Sequence, residues 1–352
     1  MGILNGRDAS PTEGTELVQE AISQGINLIE TGRGYFDSEK IIGEAMPKLR
    51  DKVVLASKTY MRTARRAQKE LEESLERLKT KKIDIYQIHY VQYPQELEQV
   101  MARGGALEAL RDARSQGVID FIGVTSHNPE VLSEALRTDQ FDTVQLPLSV
   151  VEREFFDLVY PVARDRDIGI MIMKSLCGGN IRSIKEALRY VLSHEVSSVL
   201  IGCQSIEELK EDIEVAEHFR PLSDQERMQL MEEARNLPDK FCRRCRYCER
   251  RCPAGVPVSD IFRIEDYLIL SATYARDEYR KLKINVTDCR ECGQCEKTCP
   301  YGLPVREYLK RAHKRLTRGK VEDFAVNVLR RLKLYDLARK LFFDLMGRVP
   351  RR

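Results

Sequence analysis

Eight of the ten cysteines in this 352-residue chain fall into two runs of identical spacing. The first is Cys242-x2-Cys245-x2-Cys248-x3-Cys252, followed by Pro253. The second is Cys289-x2-Cys292-x2-Cys295-x3-Cys299, followed by Pro300. Three thiolates so closely spaced wrap three corners of a cubane in one tight loop, while the fourth, set off by an extra residue and a proline, faces a neighbouring cube. The spacing therefore predicts two [4Fe–4S] clusters. One is assigned to Cys242, Cys245, Cys248 and Cys299, the other to Cys289, Cys292, Cys295 and Cys252. Zinc also takes four cysteines, but as pairs of Cys-x2-Cys rather than as four-cysteine runs ending in proline.

Composition bounds the rest. Hydrophobic residues make up 42% and charged residues 32%, which suits a globular protein with long exposed helices. No apolar run is long enough to span a bilayer. The first residues, 1–14, lack the basic-then-apolar pattern of a secretory leader. A cytoplasmic location is expected, where thiols stay reduced and cysteines serve metals before disulfides.

Residues 1–220 alternate short apolar, β-branched runs with longer amphipathic stretches. Strands are predicted at 3–5, 27–31, 53–58, 83–89, 121–126, 143–146, 169–174 and 198–202. Each is mostly apolar, as a strand buried on both faces should be. Helices are predicted at 15–24, 65–78, 106–116, 129–137, 184–192 and 206–217. Gly25 and Gly117 sit where a left-handed residue ends a helix, and Ser205 precedes Glu208 by three, a capping-box pattern. Eight strands alternating with helices predict an α/β fold, a parallel (β/α)8 TIM barrel. A doubly wound open sheet is the alternative, but no Gly-x-Gly-x-x-Gly follows the first strand. From 239 the strand pattern stops, and helices are predicted at 260–282, 305–318 and 321–346. The chain thus reads as a barrel over 1–220, a linker over 221–238, a small, mostly helical two-cluster domain over 239–318, and a tail over 319–352.

Several stretches of the first domain resemble the aldo-keto reductase family, specifically its prokaryotic branch with a C-terminal ferredoxin-type domain. They are 25–35, ending Glu30-Thr31-Gly32-Arg33-Gly34-Tyr35; Ser38-Glu39 with Ile42-Gly43; Ala56-Ser57-Lys58; Asp84 through His89; Gly104 through Leu107; and Gly117 through Ser126-His127. The resemblance implies a site at the barrel mouth built on a carboxylate, Tyr, Lys and His. By position these are Glu30, Tyr35, Lys58 and His89, each at or just past the end of a predicted strand. It further implies that the Tyr35 phenol gives a proton to a substrate carbonyl while hydride comes from a nicotinamide. Lys58 would make the phenol a better acid, and His89 would orient the carbonyl.

The family's carboxylate is Asp; here Glu30 keeps the charge but is one methylene longer, so its geometry with Lys58 must shift and activity is in question. The resemblance also implies that Thr125, Ser126 and Gln145 hold the nicotinamide carboxamide, and that Gly202 and Ser205 meet the cofactor phosphates. The segment 207–212 carries Glu207, Glu208, Glu211 and Asp212 against Lys210. Those acids repel a 2′-phosphate, which weakens NADP(H) relative to NAD(H). Cys177 and Cys203 read as buried, inert thiols.

The reading is an iron–sulfur oxidoreductase acting on a carbonyl or other small molecule, with the clusters relaying electrons, and a redox partner protein fits it. The alternative, which Glu30 and the acidic segment favour, is an electron-transfer or adapter protein with an idle barrel. Charge is uneven: residues 301–352 hold 15 Lys+Arg against 5 Asp+Glu. Within them 322–346 forms a basic amphipathic pattern that docks on its own protein or, in the sharper reading, on a membrane surface or partner. Aromatic residues are too sparse there for nucleic acid.

Overall fold

The computed structural model describes residues 11–35, 37–177, 181–203, 205–237, 242, 246–269, 272–299 and 302–317. The strand predicted at 3–5, Cys245 and the basic tail lie outside them. The chain divides into two compact units, Met1–Ala234 and Arg235–Arg352.

The first unit contains seven described strands: β1 (Leu28–Glu30), β2 (Val54–Thr59), β3 (Ile83–Ile88), β4 (Ile119–Thr125), β5 (Thr143–Pro147), β6 (Gly169–Met173) and β7 (Ser198–Val199). They pair in chain order, and every pairing is parallel. Parallel neighbours need a crossover, and helices supply it. They are α1 (Pro11–Ser23), α2 (Ser38–Leu49), α3 (Ala64–Arg77), α4 (Pro94–Met101), α5 (Ala106–Ser115), α6 (Pro129–Leu136), α7 (Glu154–Asp165), α8 (Ile184–Leu192) and α9 (Ile206–Glu217).

The sheet rolls up. Leu28 at one end of the strand order packs in one cluster with Ala56, Ile85, Met171 and Leu200, which reach the other end. An open sheet could not bring β1 against the residues around β7, so the seven strands form a nearly closed barrel. Gly25 and Gly117 end α1 and α5 with φ of +93° and +70°, and the next residues close the wide C-terminal hydrogen bonds, Ile26 to Ala21 and Val118 to Ala113. At the start of α9 the Ser205 hydroxyl accepts the Glu208 N–H at 3.2 Å.

Segment 221–238 carries a helix, α10 (Asp224–Arg235), most of which belongs to the barrel unit. Glu226 on α10 accepts both guanidinium arms of Arg189 from α8, at 2.8 and 3.0 Å. Charge pairing of that kind across two helices is not legible in a linker-like composition.

The second unit is helical: α11 (Tyr247–Arg250), α12 (Val258–Asp266), α13 (Ala272–Lys281), α14 (Gln294–Thr298) and α15 (Val305–Thr317). The single helix predicted at 260–282 is divided by a tight turn, Tyr267–Ile269, so that α12 and α13 pack on each other and both on α15. The core is small, with Ile261, Ala275, Leu309 and Ala312 at its centre and half-buried cysteines packed on it. A core this modest is of the kind that small domains supplement with bound metal. Among the described residues no helix is long and apolar enough to cross a membrane.

Candidate functional site

The strands are parallel, so their C-terminal ends share one rim. Glu30 ends β1, Lys58 is the next-to-last residue of β2, and His89 follows β3. Register joins Glu30 to Ala56 and Lys58 to Gln87, which places the carboxylate, ammonium and imidazole on neighbouring strands. Lys58 is fully buried, and its ammonium forms an ion pair with Glu30, itself 5% exposed. The same ammonium donates to the Thr31 carbonyl at 2.8 Å. Burial holds Lys58 well below the ordinary ammonium range. The carboxylate in contact is what favours its charged form.

Tyr35 rides on the loop after β1. That loop continues the ladder, with Thr31 N–H on the Ala56 carbonyl and Arg33 N–H on the Lys58 carbonyl. Two glycines let it pass close to β2. A Cβ on Gly32 would lie 3.2 Å from Lys58 Cε, and one on Gly34 would lie 2.4 Å from Tyr60 Cε2. Thr31 and Ser38 hydroxyls meet at 2.8 Å, and buried Glu39 on α2 accepts from Ser57 at 2.8 Å, so the loop is tied to β2 at both ends. Lys58 Nζ stands 4.6 Å from the centre of the Tyr35 ring. The Tyr35 ring meets His89 edge-on, centroids 5.7 Å apart. The structure thus brings together all four residues named from sequence.

His89 is 8% exposed, and its Nδ1 has no hydrogen-bond partner among the described residues. Desolvation first, then the charges of Lys58 and Arg62, keep it neutral far below its usual range. Tyr60, which sequence reasoning missed, packs on it at 4.1 Å.

The other predicted residues divide. Gln145, buried on β5, donates to Met173 Sδ at 3.7 Å, and its buried Oε1 has no hydrogen-bond partner among the described residues. Thr125 accepts the Tyr90 N–H at 2.9 Å. Ser126 is fully buried: its hydroxyl donates to Gln92 Oε1 and accepts the Asn128 N–H, both at 2.8 Å. Ser126 therefore braces the loop after β4. Gln92, its partner, lies 34 positions away, and no local pattern announces it. Gly202 is exposed and Ser205 caps α9, whose first turn carries Glu207 and Glu208. Cys177 and Cys203 are buried, with burial pushing each thiol up to about 11, as inert thiols should be. A cavity of about 490 Å³ lies at the opposite rim, beside Ile85, Phe121, Thr143 and Gly169, away from these side chains.

Residues 2–186 match the family described as "Aldo/keto reductase family", over half of the chain. The chain belongs to the aldo/keto reductase family. Residues 234–314 match a second family, "4Fe-4S dicluster domain". Among curated proteins, the aldo-keto reductase YhdN of Bacillus subtilis is 35% identical over 178 residues, 47% of this chain and 52% of that protein. The NADH-specific methylglyoxal reductase of Escherichia coli is 27% identical over 184 residues, 46% of this chain and 56% of that one. The chain thus spans about half the length of these relatives. Among solved structures, aldo-keto reductase AKR11C1 from Bacillus halodurans aligns with TM-score 0.56 at 21% identity, covering 64% of this chain and 88% of that one. At that identity the likeness is one of fold.

In the dicluster domain, one cavity is lined by Cys252, Cys289, Cys292 and Cys295, together with Arg290 and Arg306. Those cysteines are the set assigned to one cluster from spacing, one from the first run and three from the second. Backbone amides point at two of the sulfurs: Val256 N–H to Cys252 at 3.3 Å and Glu291 N–H to Cys289 at 3.4 Å. Thiol donors with amide hydrogen bonds around one cavity are the donor set a cubane takes, while among the described residues no three of them stand together closely enough to hold a metal ion. Of the other set, Cys248 is buried and Cys242 and Cys299 are half-buried.

The two halves of the domain repeat each other. Cys252-Pro-Ala-Gly-Val-Pro-Val258 and Cys299-Pro-Tyr-Gly-Leu-Pro-Val305 each lead into a helix. Gly255 and Gly302 have φ of +65° and +62°. Glu249, next to Cys248, accepts the Ser259 N–H at 2.5 Å; Glu296, next to Cys295, accepts the Arg306 N–H at 3.0 Å. Each carboxylate caps the helix that follows its own cysteine run. The Cys-Pro-x-Gly-x-Pro-Val repeat is the sequence signal that would have found them.

Proposed function

We propose that this chain is an iron–sulfur oxidoreductase that reduces a carbonyl at the barrel mouth, with Tyr35 as proton donor. The observation that carries the reading is the buried Glu30–Lys58 pair beneath the Tyr35 ring, with His89 at its edge. A phenol that gives up its proton develops negative charge, and a buried ammonium nearby stabilises that charge more than water does. Glu30 fixes the ammonium. Neutral His89 serves as hydrogen-bond partner to the carbonyl oxygen.

A nicotinamide supplies hydride when bound at this mouth. Gln145, whose buried Oε1 has no hydrogen-bond partner among the described residues, is the residue best fitted to the carboxamide. Gly202 and Ser205 border the phosphate end, and Thr125 and Ser126 brace the loop beside it. The acids of α9 favour NADH over NADPH. In the dicluster domain, Cys242, Cys245, Cys248 and Cys299 hold one cluster and Cys289, Cys292, Cys295 and Cys252 the other, and such clusters carry single electrons. We assign them the relay between the barrel substrate and a redox partner protein.

The test is titration of anaerobically reconstituted protein with NADH and NADPH, followed by steady-state reduction of a panel of small aldehydes. Binding of NADH and a Tyr35-dependent turnover are expected. If millimolar cofactor does not bind, the barrel is idle and the chain is an electron-transfer protein.

A further inference from the structure

Arg62 follows β2 and is not among the residues marked by family resemblance. Its guanidinium reaches across two strand ends. One nitrogen donates to the carbonyls of Tyr60, at 3.1 Å, and His89, at 3.0 Å. The other donates to the carbonyl of Tyr90 at 2.8 Å and meets Glu96 of α4 at 3.3 Å. The Arg62 carbonyl accepts the Ala106 N–H at 3.0 Å, so the loop before α5 is tied in as well. Only 13% of the Arg62 side chain is exposed.

The clamp holds a strained segment. Tyr90 has φ of +61°, which an L-residue with an aromatic side chain adopts only when its surroundings fix it. Its N–H is fixed by Thr125 and its carbonyl by Arg62. His89 sits directly before this kink. On its ring side, Tyr60 packs at 4.1 Å, and the Tyr60 carbonyl is itself held by Arg62.

We infer that Arg62 is the positioning residue that locks the ends of β2 and β3 together and fixes His89, ring and backbone, in its carbonyl-orienting place. The part about carbonyl orientation rests on the function proposed above; the clamp does not. Arg62 touches no reacting atom. It acts through His89 in two ways. The three carbonyl hydrogen bonds set the height and tilt of the imidazole. Its positive charge, added to that of Lys58, opposes protonation of the ring. The other groups that face His89 are Tyr35 after β1, Glu30 of β1 through Lys58, Tyr60, and Tyr90 with His127 behind it.

The experiment uses the full chain with clusters reconstituted. The pH titration of the His89 imidazole is followed by NMR, assigned among the five histidines with His89→Gln. In Arg62→Gln the proton affinity of His89 is expected to rise by roughly threefold to tenfold through loss of the nearby charge. In Arg62→Lys it returns close to wild type. Where the wild type reduces aldehydes, kcat is expected to fall by roughly tenfold in Arg62→Gln, with KM for NADH unmoved. A His89 titration in Arg62→Gln that matches wild type overturns the inference, as does a rise that Arg62→Lys fails to reverse. If Arg62→Gln does not fold, the Arg62→Lys titration decides alone: a rise above threefold overturns the charge role. A wild type without carbonyl reduction removes the proposed function, and the Arg62→Gln titration still decides whether Arg62 acts on His89.

Discussion

Glu30 and Lys58 form an ion pair inside the barrel, with the lysine fully buried and the glutamate nearly so. The extra methylene of Glu does not part them: β1 and β2 are adjacent, and Gly32 leaves room beside Lys58 Cε for the ammonium to turn toward the carboxylate. Removing one member of such a pair strands the other in a low-dielectric site. Glu30→Gln is expected to destabilise the barrel by about 3 kcal/mol, and Glu30→Gln with Lys58→Met to recover part of that loss. Urea denaturation of these two variants, of Lys58→Met alone and of the wild type measures both. Full additivity of the single losses would show that the pair is not coupled.

Tyr35→Phe removes one oxygen and leaves the ring that Lys58 and His89 contact. Carbonyl reduction is expected to fall by at least about a hundredfold with NADH affinity intact. Retained turnover would assign the proton to another group.

Gly34 has no room for a side chain. Gly34→Ala would push Tyr60 off His89, since the new Cβ would meet Tyr60 Cε2 at 2.4 Å. The expected cost is roughly 2 kcal/mol of stability from overpacking. A Tyr60→Ala, Gly34→Ala double variant should regain stability, read as the thermal midpoint.

Cys252 belongs to the first run in sequence, yet lines the cavity of Cys289, Cys292 and Cys295. Cys252→Ala should therefore disturb the EPR spectrum of the cluster held by the second run and lower iron per chain. Loss confined to the cluster of Cys242 and Cys248 would reverse the assignment. Chelating the iron should unfold the dicluster domain before the barrel, read by circular dichroism in two steps.

Glu226 predicts the acid response. The hydrogen bond from Arg189, then that from Arg220 and the Ser223 N–H, hold its carboxyl far below the usual carboxylate range. The folded-state value lies under the unfolded one, so the stabilisation is complete above about pH 4.5 and is lost as pH falls below it. Glu226→Gln should lose stability at neutral pH and show a flatter decline between pH 4.5 and 2, measured by urea midpoints.

The four residues of the barrel site were legible through the family resemblance of the stretches that carry them, and the local hydrophobic pattern placed Glu30, Lys58 and His89 at or beside strand ends. Period and punctuation likewise placed the strands from β1 to β7 and most helices within a few residues. The cysteine runs were legible because ligand spacing is a short-range property of one loop. Gln92 bracing Ser126, Arg62 clamping Tyr60, His89 and Tyr90, and Glu226 binding α10 to the barrel were not. Each joins residues tens of positions apart through hydrogen bonds that no periodicity encodes.

Sequence by itself thus determined the alternation that makes a barrel, the ionisable groups at its rim and the thiolates of the second domain. Tertiary structure alone decided that Glu30 reaches Lys58 and that the serine after β4 braces a loop. The physical reason is the same in each case: chemistry is carried by side-chain type, which the chain states outright, whereas partnership depends on which strand ends the closing sheet brings within a hydrogen bond of one another.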